Sequence, residues 1–306
     1  MKTTVSHRHL REAIAKMFEA MDEDPDEAIN RIGAELAHSC LIIAGDVVGN
    51  AIGIKNISVQ GERYGLLFTD MDEFAKVFPD YDVGSHMHSI DVYIQMLADL
   101  DLDGFVINLK SECFILPADG IESFIGVPQS RYPSEDSYTS KELRKIRDSI
   151  DNASLERFIE NPQNVGRYEE LFGEMSSSTI LALRLTSRNL DYKAEDGMIS
   201  LDGDKPVGFL HSDRIGGRYA TVFTSEERMA AIDTPFNRYL QIVNFSQMTF
   251  FILSEDMDGI IINPGEENIV ITRDVLLEFS PLLERTCNDS RLNSSVHHMF
   301  LLESEA

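Results

Sequence analysis

The spacing of apolar residues along this chain predicts helices that alternate with short strands. Two segments repeat apolar residues at i, i+3, i+4 and i+7, which is typical of one buried helix face. They are Met71, Phe74, Ala75 and Phe78 in the first segment, and Ile90, Tyr93, Ile94 and Leu97 in the second. Short apolar runs bounded by turn residues predict strands at 40–45, 63–68, 104–108 and 112–116. Because a tight turn separates the last two, they form a hairpin and the sheet is partly antiparallel.

The segment 61–124 recurs at 216–279, an offset of 155 residues without gaps. Fourteen of the 64 aligned positions are identical, and the apolar pattern around them agrees as well. The identical pairs include Gly61/Gly216, Arg63/Arg218, Tyr64/Tyr219, Phe68/Phe223, Thr69/Thr224, Asp103/Asp258, Gly104/Gly259 and Asn108/Asn263. We interpret this self-similarity as a duplicated domain.

The sequence before residue 61 also has a counterpart in the second copy, but at a different offset. Residues 35–43 match 174–182 at an offset of 139, so the second copy carries 16 additional residues within 187–206. That polar, glycine-containing stretch predicts a long loop or an added hairpin. Thr69 and Thr224 each precede a helical pattern and are predicted as N-caps, and Thr224 with Glu227 has the spacing of a capping box.

The predicted fold class is therefore mixed α/β (α+β), with two tandem domains that each contain a partly antiparallel sheet with helices packed on it. The first domain is predicted at 1–130 and the second at 156–285. A linker with a charged helix, "SKELRKIRDSI", is predicted at 131–155. The tail at 286–306 has an apolar end, "HHMFLL", that is expected to dock on the second domain.

The charge of the chain narrows the classes of partner. The formal net charge is −25 and the isoelectric point is near 4.6. Such a field repels phosphate backbones and anionic membrane surfaces, so we expect no nucleic acid and no membrane as partner. The odd number of cysteines, Cys40, Cys113 and Cys287, favours a reducing cytoplasm. Cys40 and Cys113 lie in apolar runs and are predicted to be core residues.

The acidic run "DLDLDG" has part of the pattern of a calcium-binding loop. Asp99, Asp101 and Asp103 match the first, third and fifth positions of an EF-hand loop. The twelfth position, which needs a bidentate glutamate, is Lys110, and a strand is predicted where a helix should follow. The alternative, which the pattern favours, is a helix C-terminus followed by an Asp–Gly turn with a solvated acidic edge.

The repeated polar residues supply candidates for ligand binding. Arg63 beside Tyr64, and Arg218 beside Tyr219, could bind a carboxylate, or could form a structural ion pair where the strand begins. Asn263 opens the motif "NPGE", which predicts a type II turn with the positive φ at its glycine. A backbone nest that binds an anion is the functional alternative for Asn263.

Motifs that carry catalysis or bind cofactors are not found. The sequence contains no glycine-rich phosphate loop, no G-x-S-x-G elbow and no H-E-x-x-H helix, so we predict no cofactor. His86 and His88 are spaced to share one face of a strand and could start a zinc site. Without a third ligand nearby, a solvated loop is the favoured interpretation of this segment.

Two stretches of the second copy resemble the SseB N-terminal domain, a bacterial family. They are "RYATVFTSEERMAA" and "MDGIIINPGEENIVITRDVL", with the matching residues Phe223, Thr224, Ser225, Gly259, Asn263 and Pro264. The helix and strand in "ENPQNVGRYEELFGEMSSSTIL" resemble the start of that family's domain. The first copy departs from the pattern, because Asp70 follows Thr69 and Leu109 replaces the proline. The resemblance implies the fold and a bacterial cytoplasmic setting, and it brings no catalytic residue with it.

These observations favour a non-catalytic protein-interaction or regulatory protein with a protein partner. Two alternatives stay open. The first is a protein that binds a small ligand or a cation through its acidic turns. The second is an enzyme with a pocket between the two domains.

Overall fold

The computed structural model describes most of the chain. The described residues are 7–20, 25–48, 51–80, 83–119, 121, 124, 138–186, 193–195, 198–200, 208–212, 216–232, 237–265, 269–286 and 298–301. The helices are α1 (Arg8–Ala20), α2 (Pro25–Ala37), α3 (Met71–Val77), α4 (Ile90–Leu100), α5 (Ser140–Asp148), α6 (Ala153–Glu160), α7 (Tyr168–Ser176), α8 (Glu226–Ala230), α9 (Phe245–Ser254) and α10 (Arg273–Thr286), with a 3₁₀ turn at Pro162–Asn164. The strands are β1 (Cys40–Val48), β2 (Ala51–Ile54), β3 (Asn56–Val59), β4 (Glu62–Phe68), β5 (Ser85–Ser89), β6 (Gly104–Ile107), β7 (Phe114–Pro117), β8 (Thr179–Thr186), β9 (Lys193–Glu195), β10 (Met198–Ser200), β11 (Gly208–Phe209), β12 (His211–Ser212), β13 (Tyr219–Phe223), β14 (Asn237–Asn244), β15 (Gly259–Ile262), β16 (Ile269–Thr272) and β17 (His298–Leu301). The predicted mixed α/β class is confirmed.

The chain divides into two compact units. Unit 1 comprises residues 1–130 with 253–256, and unit 2 comprises residues 131–252 with 257–306. Within the described ranges, none of the helices is both long enough and apolar enough to cross a bilayer.

Unit 1 contains a seven-stranded mixed sheet. Five of its strands lie in the order β5–β1–β4–β6–β7. β4 and β6 are parallel, and the other neighbours in this series are antiparallel. β2 pairs with the second half of β1 and β3 pairs with the first half of β4, so both belong to the same sheet.

Unit 2 contains a ten-stranded mixed sheet, and five of its strands lie in the order β14–β8–β13–β15–β16, with β16 at one edge. β13 and β15 are parallel, and the sheet continues beyond β14 through β17, β10 and β9. β9 and β10 form an antiparallel hairpin within 187–206, as one of the two predictions for this segment required. β17 comes from the C-terminal tail and pairs with β14, so the prediction that the tail docks on this unit is confirmed.

The five-strand series of unit 1 and that of unit 2 agree in order, in direction and in register. The register pairs Tyr64–Gly104, Ile42–Phe68 and Cys40–Ser89 of unit 1 correspond to Tyr219–Gly259, Leu181–Phe223 and Thr179–Asn244 of unit 2. These pairs keep the offsets of 155 and 139 that were found in the sequence. A common architecture of this kind is what the duplication hypothesis requires.

The core of unit 1 lies on both faces of its sheet. Side chains alternate between the faces along each strand, so Leu41 and Ile43 of β1 point to one side and Ile42 and Ala44 to the other. The first face packs against buried residues of α1, α2 and α4. The second face packs against Phe74 of α3. β6 is buried along its whole length because both faces are covered.

In unit 2 the charged helix α5 packs against the sheet. Leu143 is 2 % exposed and contacts a buried cluster that includes Leu181 and Phe223. The helix begins with a complete capping box, in which Thr139 accepts a hydrogen bond from the Glu142 amide and the Glu142 carboxylate accepts one from the Thr139 amide. Helix α5 therefore has a charged face and an apolar face, and the apolar face is part of the core of unit 2.

The helices α3 and α8 begin one residue later than predicted, so the two threonine N-caps were wrong. The Asp70 carboxylate accepts a hydrogen bond from the Glu73 amide at 2.9 Å. The Ser225 hydroxyl accepts one from the Arg228 amide at 3.4 Å. The Thr224–Glu227 capping box is therefore absent from this helix start. Aspartate and serine are both good caps, and the preceding threonine takes part in another contact, described below.

Three further predictions were wrong. Asn263 has the positive φ of 51°, and Gly265 has no positive φ, so the turn after β15 is not type II. Asparagine tolerates the left-handed conformation, which explains how the turn forms without using the glycine. Cys113 is exposed rather than buried, because β7 begins after it, at Phe114. His86 lies in β5 rather than in a solvated loop.

Candidate functional site

In each unit a threonine and an asparagine meet where the two parallel strands end. In unit 2, Thr224 follows β13 and Asn263 follows β15, and both are at least 95 % buried. The Thr224 amide donates to Asn263 Oδ1 at 2.9 Å, and Asn263 Nδ2 donates to Thr224 Oγ1 at 2.9 Å. Carboxyl ends of parallel strands are the usual place for ligand sites in α/β proteins, so this edge is the candidate site.

The same contact is present in unit 1. The Thr69 amide donates to Asn108 Oδ1 at 3.1 Å, and Asn108 Nδ2 donates to Thr69 Oγ1 at 3.0 Å. Asn108 has a φ of 52°, one degree from that of Asn263. The amide groups of both asparagines are used within the protein, and this accounts for the recurrence of threonine and asparagine in the sequence.

Replacing Asn263 with alanine is expected to lower the stability of unit 2 by about 2 kcal/mol. The substitution leaves the buried Thr224 amide without its acceptor and places an alanine in a left-handed conformation. Urea unfolding followed by circular dichroism measures the change. Asn56→Ala is the control, because the Asn56 side chain makes only an exposed contact of 3.5 Å. Equal stability of the two variants would contradict the structural role of Asn263.

The repeated arginines contact aspartates through their backbone. The Arg63 amide donates to Asp103 Oδ2 at 2.7 Å, and the Arg218 amide donates to Asp258 Oδ2 at 2.6 Å. The Arg63 guanidinium lies 3.8 Å from the carboxylate of Asp101, and both side chains are exposed. Exposed pairs of this kind contribute little to stability. The repeated Arg–Asp hydrogen bond therefore connects the start of β4 to the turn before β6, and in unit 2 the start of β13 to the turn before β15.

The acidic run 99–103 ends a helix. Asp101 has a φ of 51° and is the C-cap of α4, and Asp103 is engaged by the Arg63 amide. Asp99 is exposed on the last turn of α4. Across the described ranges, no three His, Cys, Asp or Glu side chains are grouped so that they could hold a metal ion.

The two repeated tyrosines have different surroundings. The Tyr64 hydroxyl donates to the Glu62 carboxylate, and this hydrogen bond raises the pKa of Tyr64 above its ordinary value. The ring of Tyr219 lies against the backbone of Gly259, where a Cβ atom would come within 2.9 Å of it. The two tyrosines therefore occupy equivalent positions in the two sheets, and the contacts described for them differ.

At the carboxyl edge of unit 2 lies a pocket of about 250 Å³. The residues that line it are Arg147, Ile150, Asp151, Asn152, Ala153, Glu156, Leu181, Thr224, Ser225 and Glu226. Among the polar residues that line this pocket, Thr224 and Ser225 were singled out from the sequence. Asn152 was missed, although an asparagine directly before a helical pattern is an N-terminal signal.

The polar groups of this pocket bind one another. Arg147 makes a bidentate ion pair with Glu226, at 2.5 and 2.6 Å, which raises the pKa of the guanidinium. Asn152 Nδ2 donates to the carbonyl oxygens of Thr179 and Thr224, at 2.6 and 2.7 Å. The Thr224 hydroxyl donates to Glu156 at 2.6 Å. Glu156 also lies 3.5 Å from Arg228.

Unit 1 has an ion cluster at the corresponding edge. Arg11 of α1 lies 3.0 Å from Glu73, 3.3 Å from Glu112 and 3.4 Å from Asp70. The Glu73 side chain is 1 % exposed and also contacts Lys76 at 2.6 Å. The Ser111 hydroxyl donates to the second oxygen of Glu73 at 2.5 Å. We call these residues the Arg11 cluster: Arg11, Asp70, Glu73, Lys76, Ser111 and Glu112.

Helix α1 of unit 1 and helix α6 of unit 2 begin at this edge in the same way. His7 Nε2 lies 2.6 Å from the carbonyl oxygen of Cys40, the first residue of β1. Asn152 donates to the carbonyl oxygen of Thr179, the first residue of β8. One helical turn later stand Arg11 and Glu156, at the same offset of 145 residues as His7 and Asn152. This third offset was not visible in the sequence because the residue types differ.

The ion pairs at these equivalent positions have opposite charge signs. Unit 1 has Arg11 on the first helix and Glu73 on α3, 3.0 Å apart. Unit 2 has Glu156 on α6, the counterpart of α1, and Arg228 on α8, 3.5 Å apart. Glu73 and Arg228 are related by the offset of 155 residues. The position of the ion pair is thus shared by the two units, and the sign of each charge is exchanged.

The Arg11 cluster makes the stability of unit 1 depend on pH. Burial opposes the ionisation of Glu112, but the hydrogen bond from its own amide and the Arg11 guanidinium at 3.3 Å outweigh it and lower the pKa of Glu112. Its contribution is therefore fully present above the ordinary pKa of about 4.5 and is lost as pH falls through the lower folded value. In urea unfolding between pH 6 and pH 3, Glu112→Gln should lose less stability than the wild type. Parallel pH profiles would contradict this expectation.

Comparison of the chain with protein-family models, with curated proteins and with solved structures found no match in any of the three.

Proposed function

We propose that the chain is a non-catalytic protein-interaction or regulatory protein of the bacterial cytoplasm, built from two related SseB-like α/β domains. The observation that carries this proposal is the exchange of charge sign between Arg11–Glu73 and Glu156–Arg228. Strand order, register and the threonine–asparagine contact recur around these pairs. The scaffold is therefore common to both units, and the charges on it are not.

A reversed ion pair stabilises a fold as well as the original pair, because the Coulomb energy depends only on the product of the charges. A catalytic group must have one particular charge and proton affinity to transfer a proton or attack a substrate. The carboxyl edge is where α/β enzymes place such groups. At this edge Arg11 is paired with Glu73 in unit 1 and Glu156 with Arg228 in unit 2, which favours a structural role for these four groups.

The charge of the chain indicates the kind of protein partner. A net charge of −25 attracts a partner with a basic surface and raises the rate of association at low salt. The binding should weaken as salt increases, because the Debye length falls from about 10 Å at 0.1 M to about 3 Å at 1 M.

Affinity capture from host lysate, repeated with the purified partner, tests this function. Tagged full-length protein is compared with the variant Glu156→Arg/Arg228→Glu, which gives unit 2 the charge arrangement of unit 1. We expect one basic partner in stoichiometric amount, bound equally by both proteins and released by salt. Steady turnover of a metabolite by the purified chain, abolished in the exchanged variant, would contradict the proposal.

The pocket of unit 2 favours a second candidate function, binding of a small cationic ligand. Its lining contains the carboxylates of Asp151, Glu156 and Glu226 and the single guanidinium of Arg147. The excess of negative charge suits a ligand with an amine group. A panel of small amines is screened by thermal shift with the wild type and Asp151→Asn. A saturable rise in melting temperature that the variant lacks supports this candidate, and no rise at millimolar concentration contradicts it.

A further inference from the structure

The outer edge of β5 in unit 1 presents backbone hydrogen-bonding groups that are not covered by any strand of the described residues. Within the described part of the chain, β5 pairs with one strand only, β1. The Gly45 amide donates to the Gly84 carbonyl oxygen, so Gly84 faces β1. The His88 amide donates to the Tyr93 hydroxyl, which donates in turn to the carbonyl oxygen of Leu41 in β1. Because backbone groups alternate in direction, those of Ser85 and Met87 and the amide of Ser89 face away from β1. The Ser89 carbonyl oxygen is at the N-cap of α4 and accepts the first hydrogen bond of that helix.

The equivalent edge in unit 2 is covered by a strand. β14 pairs with β8 in the register in which β5 pairs with β1. On its other side β14 pairs with β17 in antiparallel orientation, with Tyr239 opposite Leu301 and Leu240 opposite Phe300. This side of the shared five-strand series can therefore accept an added antiparallel strand.

The sequence of β5 is a palindrome, Ser85-His86-Met87-His88-Ser89. When two identical strands pair about a two-fold axis through their centre, each residue meets the residue at the mirrored position. Met87 then lies opposite Met87 of the second copy, Ser85 opposite Ser89, and His86 opposite His88. In this register the two Met87 residues exchange both of their backbone hydrogen bonds, and each Ser89 amide can donate to the Ser85 carbonyl oxygen of the other copy.

β5 lacks the features that protect edge strands from pairing. It contains no Lys, Arg, Asp, Glu or Pro, in a chain with a net charge of −25. The Met87 side chain, at the centre of the strand, is 48 % exposed. Its cross-strand neighbour Ile42 belongs to the apolar cluster on the α3 side of the sheet. A second strand here would cover an apolar side chain and would bring no charged residue of β5 against another.

We propose that β5 pairs with β5 of a second copy of this chain, in antiparallel register about Met87, to form a homodimer with a continuous sheet. The interface is isologous, so it closes at two copies and does not propagate into a filament. It does not depend on the hetero-partner suggested above, because it uses only an edge of unit 1. The like charge of the two chains opposes association, and salt therefore strengthens the dimer.

Sedimentation analysis of the full-length protein over a concentration series tests the dimer. Met87→Pro removes an outward-facing N–H from each copy and preserves the hydrogen bonds of β5 to β1. Met87→Val keeps the donor and the apolar character, and it is the matched control. We expect dimers of the wild type and of Met87→Val that tighten between about 0.1 and 0.5 M salt, because screening of the like charges increases over this range. Met87→Pro should raise the dimer Kd more than about tenfold.

Circular dichroism melting of each variant confirms that its fold is intact. A wild type that stays monomeric at all concentrations, or a dimer with the same Kd in Met87→Pro, would overturn the proposal. The second outcome would place the dimer contact elsewhere. Either result leaves the capture of a basic partner as a separate question.

The register itself is tested by mixing two single variants, His86→Cys and His88→Cys. Residues 86 and 88 of different copies face each other in a non-hydrogen-bonded pair, where the side chains are closest. Under mild oxidation we expect a disulfide-linked heterodimer from the mixture and much less from either variant alone. Equal cross-linking in all three samples would exclude this register.

Discussion

Replacing Gly259 with valine is expected to destabilise unit 2 by about 3 kcal/mol or more. Gly259 begins β15 with a φ of 151°, which side-chain-bearing residues rarely adopt. An added Cβ atom would lie 2.1 Å from the carbonyl oxygen of Ile271 in the neighbouring strand β16. Neither backbone can move without breaking the pairing of β15 with β13 and β16. A forced conformation and forced overlap each cost about 1–3 kcal/mol.

Thermal unfolding followed by circular dichroism measures the effect as a fall in melting temperature of about 6–12 °C. Gly173→Val is the matched control in unit 2, because Gly173 lies in α7 and an added Cβ atom meets nothing within 4 Å. Gly104→Val is the equivalent change in unit 1, where the Cβ atom would lie 2.3 Å from the Leu116 carbonyl oxygen. A wild-type melting temperature for Gly259→Val would refute the close approach of the two strands.

Replacing Arg11 with glutamine is expected to destabilise unit 1 by about 2–3 kcal/mol. The change removes the cation that three carboxylates share, those of Asp70, Glu73 and Glu112. Glu73 is almost fully buried, so its charge cannot be compensated by water. The loss of stability should be smaller than for a fully buried ion pair for two reasons. Lys76 remains beside Glu73, and Arg11 itself is one-third exposed.

The equivalent change in unit 2, Arg228→Gln, is the control for burial. Its partners Glu156 and Glu160 are 28 % and 47 % exposed, so we expect a loss of about 1 kcal/mol or less. A double variant, Arg11→Gln with Glu73→Gln, should regain part of the stability because no buried charge is left unpaired. Chemical denaturation of the three variants measures these differences. Equal losses for Arg11→Gln and Arg228→Gln would show that burial of the carboxylates does not set the effect.

Local pattern alone predicted the mixed α/β class, the hairpin that contains β6 and β7, the hairpin within 187–206 and the docking of the tail. These features depend on side-chain periodicity and turn residues, which act over a few neighbouring positions.

The hydrogen bonds at the strand ends could not be predicted from local sequence, because their partners come from a neighbouring strand of the sheet. Thr69 was predicted as an N-cap because its local sequence suits one. It instead binds Asn108, which is 39 residues away and is brought near only by the parallel pairing of β4 and β6. The same pairing in unit 2 explains why Asn263, and not the following glycine, has the positive φ.

The equivalence of Arg11 with Glu156 was decided by the tertiary structure alone. Sequence comparison could not detect this equivalence, because an arginine aligned with a glutamate counts as a mismatch. The sheets hold α1 against β1 and α6 against β8, with α3 and α8 beside them, and only this arrangement shows that both positions contain half of an ion pair. Sequence by itself determined where the chain is helical, extended or turned, since those preferences are local. Folding decided which charges meet, since Coulomb interactions depend on distances in space that sequence separation does not report.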